Sequence, residues 1–318
     1  MSSLMGKDLI PRKGPEIAQN EIIRKGREML TWKLVSVTDK MNGAQNEDIA
    51  HAHYYKNMGV YYWKNPQTGQ YENRDGQMNP ERNSPEYDAM RLRKMVNCVE
   101  TLAQAYSEAK RLNAGEQEEF AIKALDFLHI WFRNPATYMK PNLEYAQCTP
   151  GQNQGTCYGI IEGRDFMRIV QAISLLEKSE TLKKRPYVLR DFKLWFSAFT
   201  RWLSESAFGQ QELNVGNNHS VWYNAQVATY AHFVGWDHIA AEALERAKEN
   251  IRQQIAPDGI MLKELRRPFR GIHYTMFNIE AFFKAAEIGD KLNPRVDLWH
   301  YQTSDGRSIE KAVDFLAL

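Results

Sequence analysis

Two short segments of the chain hold side chains that could move a proton beside a carboxylate. The first segment contains Asn217, Asn218, His219 and Ser220 and lies directly before a helical pattern. Asn and Ser are favoured N-cap residues, so an ordinary helix start explains one of them. It does not explain His219 beside a second Asn. Because the helix dipole disfavours a protonated ring at this end, we expect a neutral imidazole that can accept or relay a proton.

The second segment is a cationic turn that leads into another helical pattern. Its charged members are Arg266, Arg267, Arg270 and His273. A proline, a phenylalanine and a glycine stand among them and indicate a shaped loop rather than a solvated basic face. An arginine such as Arg267 can hold a carboxylate through two parallel hydrogen bonds. The positive charge predicts a lowered pKa for Tyr274, which would help its phenol to remove a proton.

Together the two segments supply the parts needed to remove a proton alpha to a carboxylate. His219 and Tyr274 can carry protons, Arg267 can bind the carboxylate, and Asn218 offers an amide. The carboxylate must be neutralised before the adjacent C–H becomes acidic, and the enolate-like charge that develops must be stabilised. The combination therefore predicts proton abstraction alpha to a carboxylate.

Further side chains could bind a sugar chain. The candidates are Gln147, Tyr145, Tyr62, Trp63, Trp222, Arg270 and His273. The chain holds 15 Tyr, 14 Phe and 8 Trp, enough to line a groove with aromatic walls as well as to fill a core. Tyr61, with the two aromatic residues after it, could form a lid or a stacking wall, or could simply anchor a loop.

Composition limits the class of protein. Hydrophobic residues make up 43% and charged residues 25% of 318 residues, as in ordinary soluble domains. A net charge of +2 gives no global basic field for a nucleic-acid partner. No stretch approaches the roughly 20 apolar residues of a membrane span, and the N-terminal segment lacks the apolar region of a signal peptide. The three cysteines match no zinc motif, and a bridge between Cys148 and Cys157 stays open.

The organisation predicted along the chain is all-α. Helical periodicity covers 15–40, 88–112, 117–132, 164–179, 187–206, 220–235, 238–254, 272–289 and 308–317. Short connections favour antiparallel helical hairpins, and we expect one catalytic domain over 1–318, an incomplete α/α toroid or barrel. The long irregular segments 41–86 and 134–163 are expected to line its groove.

Several motifs resemble those of a known superfamily. They are Asn218-His219-Ser220-x-Trp222, then Glu264-Leu265-x-Arg267, then Tyr274, with Tyr62-Trp63-x-x-Pro66, Arg74-Asp75-Gly76 and Asn142-Leu143-x-Tyr145-Ala146-Gln147 upstream. In this combination the chain resembles the alginate lyase superfamily, in particular polysaccharide lyase family five and related bacterial families. The similarity spans roughly residues 50–290.

The resemblance implies a reaction and a role for each residue. Asn218 and Arg267 would neutralise the uronate carboxylate, Tyr274 would act as base and as acid, and His219 would be the second proton carrier. The implied reaction is β-elimination in a 1,4-linked polyuronate, which leaves a 4,5-unsaturated uronate end. No metal or other cofactor is implied. A polymeric substrate indicates a periplasmic or secreted enzyme, although no signal peptide is present in this chain.

The sugar and the reaction class have alternatives. Alginate, with polymannuronate preferred, is the first expectation, and glucuronan or another glucuronate polymer is the second. Mannuronate and glucuronate differ at C2, so both need the same catalytic groups, and a Tyr/His pair also suits guluronate. A glycoside hydrolase would need two carboxylates beside the bond. Its candidates are Asp75, Glu81, Glu162 and Asp165. A non-catalytic carbohydrate-binding protein would not need Arg267 and Tyr274 at this spacing.

Overall fold

A computed structural model describes residues 15–41, 52–152 and 154–317. The N-terminal segment 1–14 and the first part of the irregular segment, 42–51, lie outside the described residues. The chain is mostly helical, as predicted. The helices are α1 Pro15–Leu30, α2 Ala89–Arg111, α3 Gln117–Phe132, α4 Asp165–Leu176, α5 Glu180–Lys183, α6 Pro186–Glu205, α7 Ala207–Leu213, α8 Asn218–Val234, α9 Asp237–Gln254, α10 Leu262–Leu265, α11 Gly271–Gly289 and α12 Ile309–Ala317.

Within the described residues, four short strands lie in the two segments that were predicted to be irregular. They are β1 Lys56–Met58, β2 Tyr62–Lys64, β3 Tyr71–Asn73 and β4 Tyr145–Cys148. Strands β2 and β3 form an antiparallel hairpin with Trp63 opposite Glu72. Strand β1 pairs with β4 in parallel, so the two irregular segments are joined to each other. Strands of three or four residues are too short to show alternation, which is why an all-α chain was predicted.

The first helix is shorter than predicted. The pattern 15–40 indicated one helix, but α1 ends at Leu30 and a separate 3-10 helix spans Val37–Met41. The carboxylate of Asp39 accepts a hydrogen bond of 3.0 Å from the backbone N–H of Ser36 and thereby starts that new turn. The chain therefore leaves α1 at Leu30 and begins a separate helical turn at Val37.

Helix α8 lies at the centre of the helical packing. It contacts α4, α6, α7, α9 and α11, and it is buried on almost every side. A helix that is buried all round cannot shift without disturbing its neighbours. Its N-terminal residues, which carry Asn218 and His219, are therefore held in a fixed place.

An aromatic cluster joins α3, α4 and α6. The ring of Phe132 contacts Phe166 and Trp195 edge to face, with ring centroids 5.8 and 4.7 Å apart. The indole N–H of Trp195 donates to the carbonyl of Met139 at 2.7 Å, which ties α6 to the segment after α3. Truncating a ring of this size in a packed core costs about 3–5 kcal/mol, so the cluster is a main support of the scaffold.

The cysteines are free, so the bridge left open between Cys148 and Cys157 is not formed. The thiol of Cys148 instead donates to the carbonyl of Asn57 at 3.1 Å. Among the described residues, no helix combines the length and the hydropathy of a membrane span.

Candidate active site

The N-terminus of α8 is organised around Asn218. The side chain of Asn217 caps the helix by accepting a 2.9 Å hydrogen bond from the backbone N–H of His219. The backbone N–H and the side-chain amide of Asn218 both donate to the carboxylate of Glu264, at 2.6 and 2.8 Å. Burial raises the pKa of Glu264, while the bonds from Asn218 and the charge of Arg267 oppose that rise. The amide of Asn218 is therefore fixed in a buried position, and its Oδ1 has no hydrogen-bond partner among the described residues.

His219 is held by a buried carboxylate that the sequence did not reveal. Its Nδ1 lies 2.6 Å from Oε1 of Glu212, which is fully buried at the end of α7. This contact fixes the ring and leaves Nε2 as the nitrogen that can face a ligand. The ring also meets Tyr158 edge to face, with centroids 5.1 Å apart. Burial raises the pKa of the Glu212 carboxyl, and the charge of His219 partly offsets this.

Arg267 and Tyr274 are in direct contact at the start of α11. The guanidinium carbon of Arg267 lies 4.0 Å from the centre of the Tyr274 ring. The same guanidinium binds the carboxylate of Asp75 with two nitrogens, and Nε lies 2.9 Å from Oδ2. Arg267 thus meets a carboxylate with the fork geometry that the sequence predicted. In the free protein that carboxylate belongs to the loop after β3.

The predicted lowering of the pKa of Tyr274 is wrong for the free protein. Burial raises its pKa well above the usual range, and a short hydrogen bond between the hydroxyls of Tyr61 and Tyr274 raises it further. The charge of Arg267 acts in the predicted direction but is outweighed. The prediction considered the cationic turn alone, whereas the fold places this phenol in a partly buried position against a second phenol.

The β2–β3 hairpin and the cationic turn are packed tightly together. Arg270 donates through Nε to the carbonyl of Gly76 at 3.1 Å. Gly76 has φ +80, and a Cβ there would lie 2.5 Å from the carbonyl oxygen of Pro268. Only glycine allows both this conformation and this approach. The hairpin therefore closes one side of the site and carries Asp75 and Tyr61 into it.

Gln147 belongs to a polar network behind the site. Its side-chain amide donates to Oε1 of Glu162 at 3.3 Å, and Arg82 binds the same oxygen at 3.0 Å. Tyr55 donates to the other oxygen of Glu162 at 3.3 Å. Gln147 has φ +49, a conformation that is uncommon outside glycine and clusters at functional sites. The network fixes Gln147 in the strand β4, next to Tyr145.

The aromatic residues predicted to bind a sugar chain fall into two groups, those on the hairpin beside the site and one that is buried beneath it. Tyr62 and Trp63 lie on the hairpin, and the indole N–H of Trp63 donates to the carbonyl of Gln77 at 2.8 Å. Trp222 is only 3% exposed and packs against Phe277, with centroids 5.0 Å apart. Its burial makes it a support beneath the site. His273 is exposed, and its ring lies parallel to that of Phe277 at 6.3 Å.

Three residues of this site were missed or given another role in the sequence. Glu212 lies seven positions before His219, and a carboxylate this close to a candidate histidine was the available signal. Glu264 was part of a motif but was given no role. Tyr61 was considered only as a wall or an anchor. Contacts between α7, α10, the hairpin and the two helix starts create these pairings, and no spacing rule predicts them.

Most of the carboxylates that a hydrolase would need already have a partner. Asp75 binds Arg267, Glu162 binds Arg82, and Glu81 accepts from the hydroxyl of Tyr71 at 3.1 Å. The fourth, Asp165, stands in the first turn of α4. In the part of the chain that the structure describes, no group of three His, Cys, Asp or Glu side chains is placed to hold a metal ion. What the site brings together is a cation–phenol pair and a carboxylate–imidazole pair on helix starts, which suits proton transfer beside a carboxylate.

Comparisons with known proteins agree with this description. The alginate lyase family model matches residues 36–318. An alginate lyase from Bacteroides ovatus, known from a crystal structure, is 32% identical with a TM-score of 0.85, covering 94% of this chain and 76% of that one. Alginate lyase A1-III from Sphingomonas species A1 shares the fold at 17% identity and a TM-score of 0.54, covering 92% of this chain and 75% of that one. No curated protein matches the chain.

The match to the family model extends over most of the chain, and the Bacteroides ovatus structure matches nearly all of it. The protein therefore belongs to the alginate lyase family.

Proposed function

We propose that this protein cleaves a 1,4-linked polyuronate, alginate with polymannuronate preferred, by β-elimination. The observation that carries the proposal is the contact between Arg267 and Tyr274. The guanidinium carbon of Arg267, which can bind a carboxylate, lies 4.0 Å from the ring centre of Tyr274, whose hydroxyl can transfer a proton. The family and the Bacteroides ovatus alginate lyase support the same class of substrate. The helical hairpins would curve into an incomplete α/α toroid around this groove, in one catalytic domain.

The first step is binding of the uronate carboxylate. Arg267 and the amide of Asn218 neutralise it, which acidifies the hydrogen on C5 and stabilises the enolate-like charge. Glu264 holds Asn218 by two hydrogen bonds, so the amide is pre-oriented for this contact. Asp75 occupies Arg267 in the free protein and must exchange with the substrate carboxylate or share the guanidinium with it.

The second step is proton transfer and loss of the leaving group. Tyr274 reacts as the phenolate beside Arg267: its oxygen takes the C5 proton, the C4–C5 double bond forms, the C4–O4 bond breaks, and the same proton passes to O4, which restores the phenolate. In mannuronate and glucuronate the C5 hydrogen and O4 leave from the same face, so one Tyr274 serves both transfers. His219, held through Nδ1 by Glu212, presents Nε2 as the second proton carrier.

The remaining predicted residues are assigned to substrate binding. Gln147, Tyr145, Tyr62 and Trp63 would contact sugar hydroxyls and ring faces along the groove, with Arg270 and His273 at the cationic turn. Trp222 would act indirectly by supporting Phe277. Because the substrate is a polymer, we place the reaction outside the cytoplasm, in the periplasm or in the medium.

A substrate panel tests the proposal. Polymannuronate, polyguluronate, glucuronan and glycosaminoglycans would be supplied separately, with ultraviolet absorbance of the conjugated product as the readout. We expect the highest rate on polymannuronate. If the highest rate is on glucuronan, the substrate is the alternative polymer and the catalytic residues keep the same roles. Release of reducing ends without the absorbance would identify a hydrolase, and silence on every polymer would indicate a binding protein.

A further inference from the structure

Phe269 combines an unusually exposed aromatic ring with an unfavourable backbone conformation. It is 86% exposed, the highest value among the large hydrophobic side chains that the structure describes. Its φ is +60, in the left-handed region where a side chain with a Cβ is disfavoured. A non-glycine residue in this region is energetically unfavourable, and such residues cluster at functional sites. The elimination described above makes no use of this ring.

The turn that carries Phe269 is rigid and adjoins the cleavage site. Two residues before it, Arg267 binds Asp75, and one residue after it, Arg270 binds the carbonyl of Gly76. The backbone N–H of Tyr274 donates to the carbonyl of Arg270 at 2.9 Å, which continues the turn into α11. The aromatic ring is therefore presented to solvent from a fixed base next to the carboxylate clamp.

The surroundings of Phe269 combine positive charge with apolar surface. Arg266 is exposed and forms no side-chain ion pair or hydrogen bond with the described residues. Lys263 is also exposed, and its ammonium donates to the carbonyl of Gly216 at 2.9 Å. Ile272 and Met276 are four positions apart in the first turns of α11, so these two exposed apolar side chains share one face of the helix that follows the turn. A chain of acidic pyranose rings has the matching chemistry, since each ring has an apolar C–H face and a carboxylate.

We propose that Phe269 is a stacking platform for a sugar ring of the bound acidic polysaccharide outside the cleavage point, with Arg266 and Lys263 receiving carboxylates beside it. The inference rests on the proposed function, because it assigns the platform to the same polymer. It predicts that long chains are preferred over short ones, since only a chain that extends past Arg267 reaches the ring.

The test compares Phe269→Ala with the wild type on a long polyuronate and on the shortest oligosaccharide that is cleaved. We expect kcat/KM to fall about five- to tenfold on the polymer, mainly through KM, and to stay within about twofold on the oligosaccharide. Phe269→Trp should retain the preference for long chains. Leu194→Ala, which removes a side chain that is 62% exposed on α6, is the matched control and should change neither value.

Several results would overturn the platform. One is an equal loss of kcat/KM on the polymer and on the oligosaccharide, and another is no loss on the polymer. A third is a change of oligomeric state in Phe269→Ala, which would show that the ring lies in a contact between copies of the chain. A lower melting temperature that accounts for the loss would also count against it, because it would indicate a structural role.

A binding measurement separates this proposal from the proposed function. Affinity electrophoresis in polyuronate gels would compare Tyr274→Phe with the same variant carrying Phe269→Ala. If the double variant is retained less strongly in the gel and the wild type forms no unsaturated product, the proposal for Phe269 stands and the lyase reaction is rejected. Equal retention of the two variants would reject the platform whatever the activity.

Discussion

The guanidinium of Arg267 is bound in the free protein by the carboxylate of Asp75, with Nε 2.9 Å from Oδ2. The two residues are 192 positions apart, and the pairing exists because the β2–β3 hairpin packs against the cationic turn. A carboxylate thus occupies the group that is proposed to bind the substrate carboxylate. We interpret Asp75 as an internal competitor that keeps Arg267 oriented until the polymer arrives.

This interpretation predicts that Asp75→Asn lowers KM for the polyuronate. The neutral amide binds the guanidinium more weakly and removes a charge that repels a polyanion, so we expect KM to fall about threefold or more at low salt. Steady-state kinetics at two ionic strengths measure the effect. Glu72→Gln removes the same charge from the same hairpin without touching Arg267, since Glu72 binds Arg74. If Asp75→Asn and Glu72→Gln lower KM equally, Asp75 acts only through its general charge. If KM is unchanged in Asp75→Asn, Asp75 does not compete with the substrate carboxylate for Arg267.

The pairing of His219 with Glu212 predicts a loss of turnover when the carboxylate is removed. Glu212→Ala frees Nδ1 and lets the ring rotate, so we expect kcat to fall about tenfold to a hundredfold with a smaller change in KM. Glu212→Gln keeps an oxygen that accepts from Nδ1–H and should recover part of the activity. A full activity of Glu212→Ala would show that the orientation of His219 is irrelevant to the reaction.

Glu212 also predicts a dependence of stability on pH. Burial raises its pKa in the folded protein, so the folded state holds this proton more tightly than the unfolded chain does. That stabilisation is fully present below the unfolded pKa and is lost as pH rises through the folded pKa. Denaturant unfolding should therefore show that the wild type loses unfolding free energy relative to Glu212→Gln as the pH rises above about 4, the reference range of an unfolded Glu. Glu245→Gln, at an exposed position, should show no such trend, and a difference that grows in the opposite direction contradicts the assignment.

The contact between Tyr61 and Tyr274 predicts a shift in the pH profile of kcat/KM. Its hydrogen bond raises the pKa of Tyr274, so Tyr61→Phe should lower that pKa and move the rising limb of kcat/KM to lower pH. A profile of kcat/KM against pH for the wild type and the variant measures this. Tyr62→Phe is the neighbouring control and should leave the limb in place. A limb that stays fixed or moves to higher pH in Tyr61→Phe would argue against Tyr274 as the titrating base.

The long helices could be predicted from periodicity, but short elements could not. Helices such as α2 and α3 contain enough turns for apolar residues to repeat on one face. Helices α5, α7 and α10 span four to seven residues, and a strand of three residues such as β2 shows no period. The end of α1 was missed because no proline or glycine follows Leu30, where the hydroxyl of Thr31 donates to the carbonyl of Glu28 at 2.9 Å.

The candidate site was predictable where its residues are close in the sequence. Arg267 and Tyr274 stand seven positions apart, and a helix start brings such residues together. The partners that set their chemistry come from distant segments, as Tyr61 and Asp75 do, and only the fold reveals them. For this reason the sequence led to a candidate set of reacting groups but to the wrong direction for the pKa of Tyr274.

The most direct test of the account is the activity of Tyr274→Phe, a variant that loses one hydroxyl and keeps the ring beside Arg267. Ultraviolet absorbance of the unsaturated product on polymannuronate should fall by about a thousandfold or more, because proton transfer to and from this oxygen is lost. The melting temperature and the retention on polyuronate gels should match the wild type. Tyr187→Phe, at an exposed position on α6, should retain full activity. A Tyr274→Phe variant that releases unsaturated product at a rate near that of the wild type would contradict the proposed mechanism.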